Sequence, residues 1–394
     1  MPPGVLIYCD YNAGALVRPE AADAVSRALT LGGNPSSVHG YGRRAKAIIE
    51  DARERVASSV GALAENVTFT SGATEALHLA IACLPPPEPP YMTGGEGEIR
   101  ELVEPAPPSL IVSEAEHDAV FEQAKKRRPI MLRIRPDGLA DLSVLEALLA
   151  AAPKPALVAV QLANNETGVI QPIAKIAAIA RQHGASLLVD AAQALGRIPV
   201  DIANLDATYL VLSSHKIGGP PGAGALILAP GAPFLTTRFG GGQERGRRPG
   251  TENVAAIVGF GVAAEIAAST QSYEAPRLAA LRDRFEANLP RNAIVFGEKS
   301  PRLPNTSNFA LPGITAETAV IAMDLEGVAV SSGAACSSGK VRASRVLGAM
   351  GVEPDVAKSA LRVSFGWGSS EGDVDTALRA LDKIAAQRSR RGAA

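Results

Sequence analysis

Apolar residues in this chain alternate between short unbroken runs and longer amphipathic stretches, and the alternation predicts its elements. VLIY at 5–8 predicts a strand that runs into the polar turn Asp10-Tyr11-Asn12-Ala13-Gly14. Pro19, well placed for a first helical turn, opens a helix to about Leu29. A glycine-rich loop at 32–44 leads into an amphipathic helix ending near Val60, and residues 66–84 read as strand, Ser-Gly-Ala-Thr turn and helix. SLIV, IML, ALVAV, SLLV and the run Tyr209–Leu212 then predict further strands, with helices over 142–151 and 173–183. This succession predicts a mostly parallel sheet covered by helices on both faces. A long helical region from about Asn253 to Leu289 leads to a last segment in which short strands (AIVF, SNFAL, VAVSS, LRVSF) mix with helices. The expected division is a large α/β domain over 15–260 and a smaller α+β domain made of 1–14 and 261–394.

Each predicted strand delivers polar residues at its carboxyl end: Glu116 and His117, Asn164 and Asn165, Asp190 and Gln193, Ser213 to Lys216. That edge is where open α/β sheets bind ligands, so the four clusters should converge on one cleft. The turn at 71–74 opens a helix, and its free N–H groups and positive dipole end form an anion site, although strand-turn-helix units are common. A lysine beside a phosphate site at a strand end suggests a pyridoxal phosphate Schiff base. Alone, the Lys216 stretch also describes a surface lysine in a hairpin loop, and Asp190 also describes a helix cap. Cys336 sits in a Ser/Gly/Ala run, 331–340, with little to bury. The run predicts a pliable arm, and at ~3.3–3.6 Å per residue five residues reach about 16 to 18 Å. An inert small residue on a loop is the other reading.

Composition narrows the classes. Lys+Arg 39 against Asp+Glu 40 leaves a net charge of -1, which gives no support to nucleic-acid or anionic-membrane binding. Three cysteines, Cys9, Cys83 and Cys336, are too few and scattered for a disulfide framework or a closed metal site. The first residues lack a basic region before their short apolar run, no stretch reaches the ~18 apolar residues of a membrane span, and a cytoplasmic protein is expected. Residues 85–108 are proline-rich, which predicts an exposed insertion without regular structure.

Read together, DYNAG, GNPSSVHGYG, FTSGATEA, EHDAV, NNETG, VDAAQALG, SSHKIGGPPGAGAL, GGGQERGRRPGTEN, SSGAACSSGK and RVSFG resemble the cysteine desulfurases, in order and spacing, over almost the whole chain. The loop at 240–253 is most like the nitrogen-fixation-type branch. The resemblance implies a fold-type-I pyridoxal 5'-phosphate enzyme with a seven-stranded, mostly parallel sheet. It implies that Lys216 holds the cofactor and moves the Cα proton, that Asp190 pairs with the pyridinium nitrogen, that Gln193 reaches the ring's phenolic oxygen and that His117 stacks on the ring. Ala73, Thr74, Ser213 and His215 would hold the phosphate, joined by Thr251 from the partner of a homodimer. Arg362 would clamp the carboxylate of L-cysteine, with Asn165 and Asn34 helping to hold cofactor and substrate. Cys336 would take the sulfur as a persulfide, releasing alanine, and pass it to an acceptor or iron–sulfur scaffold protein. No resident metal is implied, although Cys336 is able to ligate a transferred cluster. Departures are Gly14-Ala15 where relatives carry two threonines, Ala76-Leu77-His78 in place of a polar triplet, and a C-terminus without the aromatic-containing tail of some relatives. Selenocysteine lyase, a class-V aminotransferase and a non-catalytic partner-binding protein are the alternatives.

Overall fold

The computed structural model describes residues 6–85, 91–93, 101–103, 107–332 and 344–392. Its centre is a seven-stranded sheet in the order Val67–Thr70, Gly224–Leu228, Tyr209–Ser213, Ser186–Asp190, Ala156–Gln161, Ser109–Ser113, Ile130–Leu132. Only Gly224–Leu228 runs against its neighbours. It follows Tyr209–Ser213 through the Gly/Pro-rich turn, a connection too short for the crossover that a parallel pair requires. Both faces of the sheet are covered, so its central strands are buried at every position, which is why they read as unbroken apolar runs. This is the α/β architecture the sequence predicts.

One face packs against helices 19–31, 40–58, 142–151 and 173–182 and the first half of helix Val254–Ala287. The other packs against helices 73–82 and 118–125. The long helix seats closely because Gly261 faces Ala52 so tightly that an added Cβ would lie 2.7 Å from its Cα. Phe260 beside it is fully buried, a contribution of roughly 1.5–3 kcal/mol. The same helix then changes partners: Ala256–Ala267 belong to the large core, while Leu278, Leu281 and Phe285 belong to a second one. The two cores therefore meet inside this helix rather than at its start. In the second core Phe285 meets Phe309 and Phe365 edge-on at 5.6 and 6.0 Å. These rings pack beneath the antiparallel strands Ile294–Val295, Thr306–Ala310, Ala360–Ser364 and Ser331–Ser332. Ile7–Tyr8 pairs with Val328–Ala329, and Cys9 is buried in that core.

Two expectations need correction. Helix Val254–Ala287 is long and apolar enough to cross a membrane. Its apolar residues are spent instead on the two cores described above. In the proline-rich insertion, Tyr91–Thr93 and Glu101–Val103 pair antiparallel. The prolines cluster at 85–90 and 105–108 and leave 91–104 free of them, so every backbone N–H there remains able to join a ladder.

Candidate active site

Each of the four polar strand ends sends residues to one cavity, although Glu116, Asn164 and Ser214 are buried and do not line it. Ala73, Thr74, His117, Asn165, Asp190, Gln193, Ser213, His215 and Lys216 all line one cavity of about 400 Å³. At one end lies the N-terminus of helix Ala73–Ala82, whose first N–H groups have no carbonyl partner within the helix. A Cβ on Gly224 would lie 2.5 Å from the Gly72 carbonyl carbon, so strand and turn meet backbone to backbone and the cradle stays shallow. Glu75 braces the turn from behind: its carboxylate accepts the Ser71 N–H at 2.6 Å and pairs with Arg238 and Arg248. Burial pushes that carboxyl up, but the Ser71 bonds and Arg248 hold it below the usual range.

At the other end Asp190 closes its strand, and Oδ1 accepts the Ala192 N–H at 2.9 Å. Burial pushes the Asp190 carboxyl up, opposed by that N–H and by His117 and Lys216. His117 caps helix Asp118–Lys125, its Nδ1 accepting the Ala119 N–H at 3.1 Å. In the neutral ring the proton therefore sits on Nε2. Burial and the neighbouring Lys216 lower His215 to about 4, so it is neutral at ordinary pH. Lys216 stands between the two ends. Its Nζ donates to the carbonyls of Asn12 at 2.5 Å and Ala13 at 2.9 Å. The Gln193 amide donates to the same Asn12 oxygen at 2.9 Å.

Arg362 is buried beside the cavity rather than lining it. It donates to the Asn165 carbonyl at 3.0 Å and pairs with Asp10 at 2.6 Å, while its Nε finds no partner among the described residues. Asp10 also accepts from Ser331 at 2.8 Å. Asn34 and Thr251 are exposed and do not line the cavity. The Asn34 side chain is engaged locally, accepting the Ser36 N–H at 2.9 Å. Cys336 lies outside the described residues.

Sequence reasoning passed over Asn12, Asp10 and Arg197. The Asn12 side chain donates to the Asn165 carbonyl and to Thr306, and so ties the N-terminal turn to the end of a seven-stranded-sheet strand and to the four-stranded sheet. Arg197 is buried under Lys216 and Gln193. DYNAG signalled the first two as a polar turn, but nothing in the local sequence marked Arg197.

The donor set fits pyridoxal phosphate: an amine, a buried carboxylate and an imidazole face one cavity with a helix N-terminus at its end. Residues 7–377 match the family described as Aminotransferase class-V. The chain is 34% identical over 387 residues to the cysteine desulfurase IscS of Dictyoglomus turgidum, covering 96% of this chain and 94% of the relative. It is 38% identical over 391 residues to a cysteine desulfurase of Cereibacter sphaeroides, covering 97% and 96%. Among solved structures, the NifS-like protein of Rickettsia africae superimposes with a TM-score of 0.86 at 32% identity, covering 96% of this chain and 99% of that one.

Proposed function

Because the chain belongs to the aminotransferase class-V family, and within it to the pyridoxal-phosphate-dependent cysteine desulfurases, we propose that it takes sulfur from L-cysteine with Lys216 and Cys336 as its working groups. The observation that carries the assignment of roles is the convergence of Lys216, Asp190, His117 and the Ala73–Ala82 helix N-terminus on one cavity. In this reading the helix N-terminus, with Thr74, Ser213 and His215, holds the cofactor's phosphate, and Thr251 of a second copy completes the cradle. His117 would lie against the ring, and Asp190 would keep its nitrogen protonated. Pyridoxal phosphate held there would supply an electron sink for the pair left at the substrate's Cα.

The remaining steps belong to this chain. Arg362 takes the substrate carboxylate in a bidentate pair, helped by Asn165 and Asn34. Lys216, a neutral amine at that moment, removes the Cα proton. The thiolate of Cys336 attacks the substrate sulfur, an S–S bond forms, and the C–S bond breaks with its pair left on carbon. The carbon fragment is protonated and leaves as alanine, and the persulfide on Cys336 passes to a sulfur-acceptor protein. Cys9 and Cys83 are poor rivals for that role, since both are buried and burial pushes the Cys9 thiol up to about 12. A free thiol nucleophile suits a reducing compartment, and we place the protein in the cytoplasm.

Cys336→Ser is the test. The variant should keep the visible absorbance of the bound cofactor and lose alanine release from L-cysteine. Undiminished alanine release would remove Cys336 from its role.

A further inference from the structure

Beneath Lys216 lies a buried guanidinium that the chemistry above leaves unused. Arg197 is 6% exposed. It donates to the Gln193 carbonyl at 2.9 Å, the Tyr11 carbonyl at 3.2 Å and the Lys216 carbonyl at 3.4 Å, and closely to the Gln193 side-chain oxygen Oε1. All of these acceptors are neutral, and no salt bridge to Arg197 occurs among the described residues. Burial, with Arg362 nearby, lowers it to about 9. The other charged groups around it are Lys216 above, and Arg18 and Glu274 across a small adjoining cavity. Glu274 is itself paired with Arg277 at 2.8 Å. A buried cation without a carboxylate is costly and calls for a reason.

Gln193 supplies one. An amide side chain has an oxygen face and an NH₂ face, and either is able to point into a cavity. With Oε1 taken by Arg197 and one N–H given to the Asn12 carbonyl, the amide keeps a second N–H to offer to the cavity that Gln193 lines. We propose that Arg197 is a positioning residue that fixes the Gln193 amide with its donor toward the cofactor's phenolic oxygen and lends that oxygen a buried positive charge. The inference rests on the cofactor placement given under Proposed function.

The test is a pH titration of the visible band of the cofactor-bound enzyme. Arg197→Met removes both charge and lock, which favours the protonated chromophore, and its midpoint should rise by about one pH unit. Arg197→Lys keeps the charge, and its midpoint should stay within about 0.3 unit of the parent on the same scale. Gln193→Ala should shift the midpoint in the same direction as Arg197→Met. Arg197→Met added to Gln193→Ala should shift it further by less than it does alone. A folded Arg197→Met enzyme with an unmoved midpoint would overturn the proposal. Should that variant not fold, an unmoved midpoint in Gln193→Ala overturns it equally. Absence of any visible band in the parent enzyme would instead remove the cofactor reading beneath it.

Discussion

Two buried arginines stand on different sides of the same site, and they are held in opposite ways. Arg362, on strand Ala360–Ser364 of the four-stranded sheet, is paired with the Asp10 carboxylate. Arg197, just past strand Ser186–Asp190 of the seven-stranded sheet, is surrounded by carbonyl and amide oxygens. A cation already neutralised has to exchange partners when a substrate carboxylate arrives, and the unpartnered Nε of Arg362 shows spare donor capacity for that exchange. A cation left unneutralised keeps its field for whatever sits above it. Arg362 is therefore suited to exchangeable binding and Arg197 to fixed electrostatics.

The sharpest break would come at the lysine between them. Lys216→Ala should lower alanine release from L-cysteine by about 10³-fold or more, because among the described residues no other amine lines the cavity. The next effect separates the two arginines by stability. Arg362→Ala strands the Asp10 carboxylate and should destabilise the protein by about 3–5 kcal/mol in a denaturant titration, with a raised KM. Adding Asp10→Asn should recover most of the stability while KM stays high. Recovery of both would reduce Arg362 to a structural role. Losing Arg197 strands only neutral acceptors, so its effect on stability should be the smaller, about 1–3 kcal/mol.

At the ring-nitrogen end, Asp190 is held against its preference, since burial raises its pKa. The folded carboxyl binds its proton more tightly than the unfolded one, so its ionisation subtracts stability as pH rises above the unfolded value. Asp190→Asn should leave the cofactor-free protein as stable or more stable at pH 7. It should also weaken cofactor binding by roughly 10- to 100-fold, the loss of one charge-assisted bond, read by equilibrium dialysis.

A pH-dependent effect lies behind the substrate wall. Burial raises Glu166 to about 7, against the Ser344 hydrogen bond and the nearby Arg362 and Arg345, with Asp118 adding to the rise. Stability should fall as pH rises from its ordinary value of 4.5 to about 7 and level off above. Glu166→Gln should flatten that slope, as measured by Tm across pH. A slope unchanged by the substitution would show that other groups set it.

How much of this was legible in the sequence follows from distance along the chain. Asp190, His117 and Lys216 each sit within a few positions of a strand's carboxyl end, and unbroken apolar runs mark those ends, so all three were readable. Asp10 acts through Arg362, 352 positions away, a separation that no local pattern encodes; Arg197 acts on Gln193 only four positions back, but its burial is completed by the Tyr11 carbonyl 186 positions away. The 91–103 pairing was missed for another reason. Proline content was averaged over the insertion, whereas ladder formation depends on where the prolines fall. Asn34 and Thr251 sit exposed on loops in the isolated chain, and the roles proposed for them need a second copy or a bound substrate.

Borohydride reduction of the holoenzyme followed by peptide mass mapping tests the central claim most directly. The account requires the reduced pyridoxyl adduct on the peptide that contains Lys216, and it is contradicted if the adduct falls on another lysine or on none.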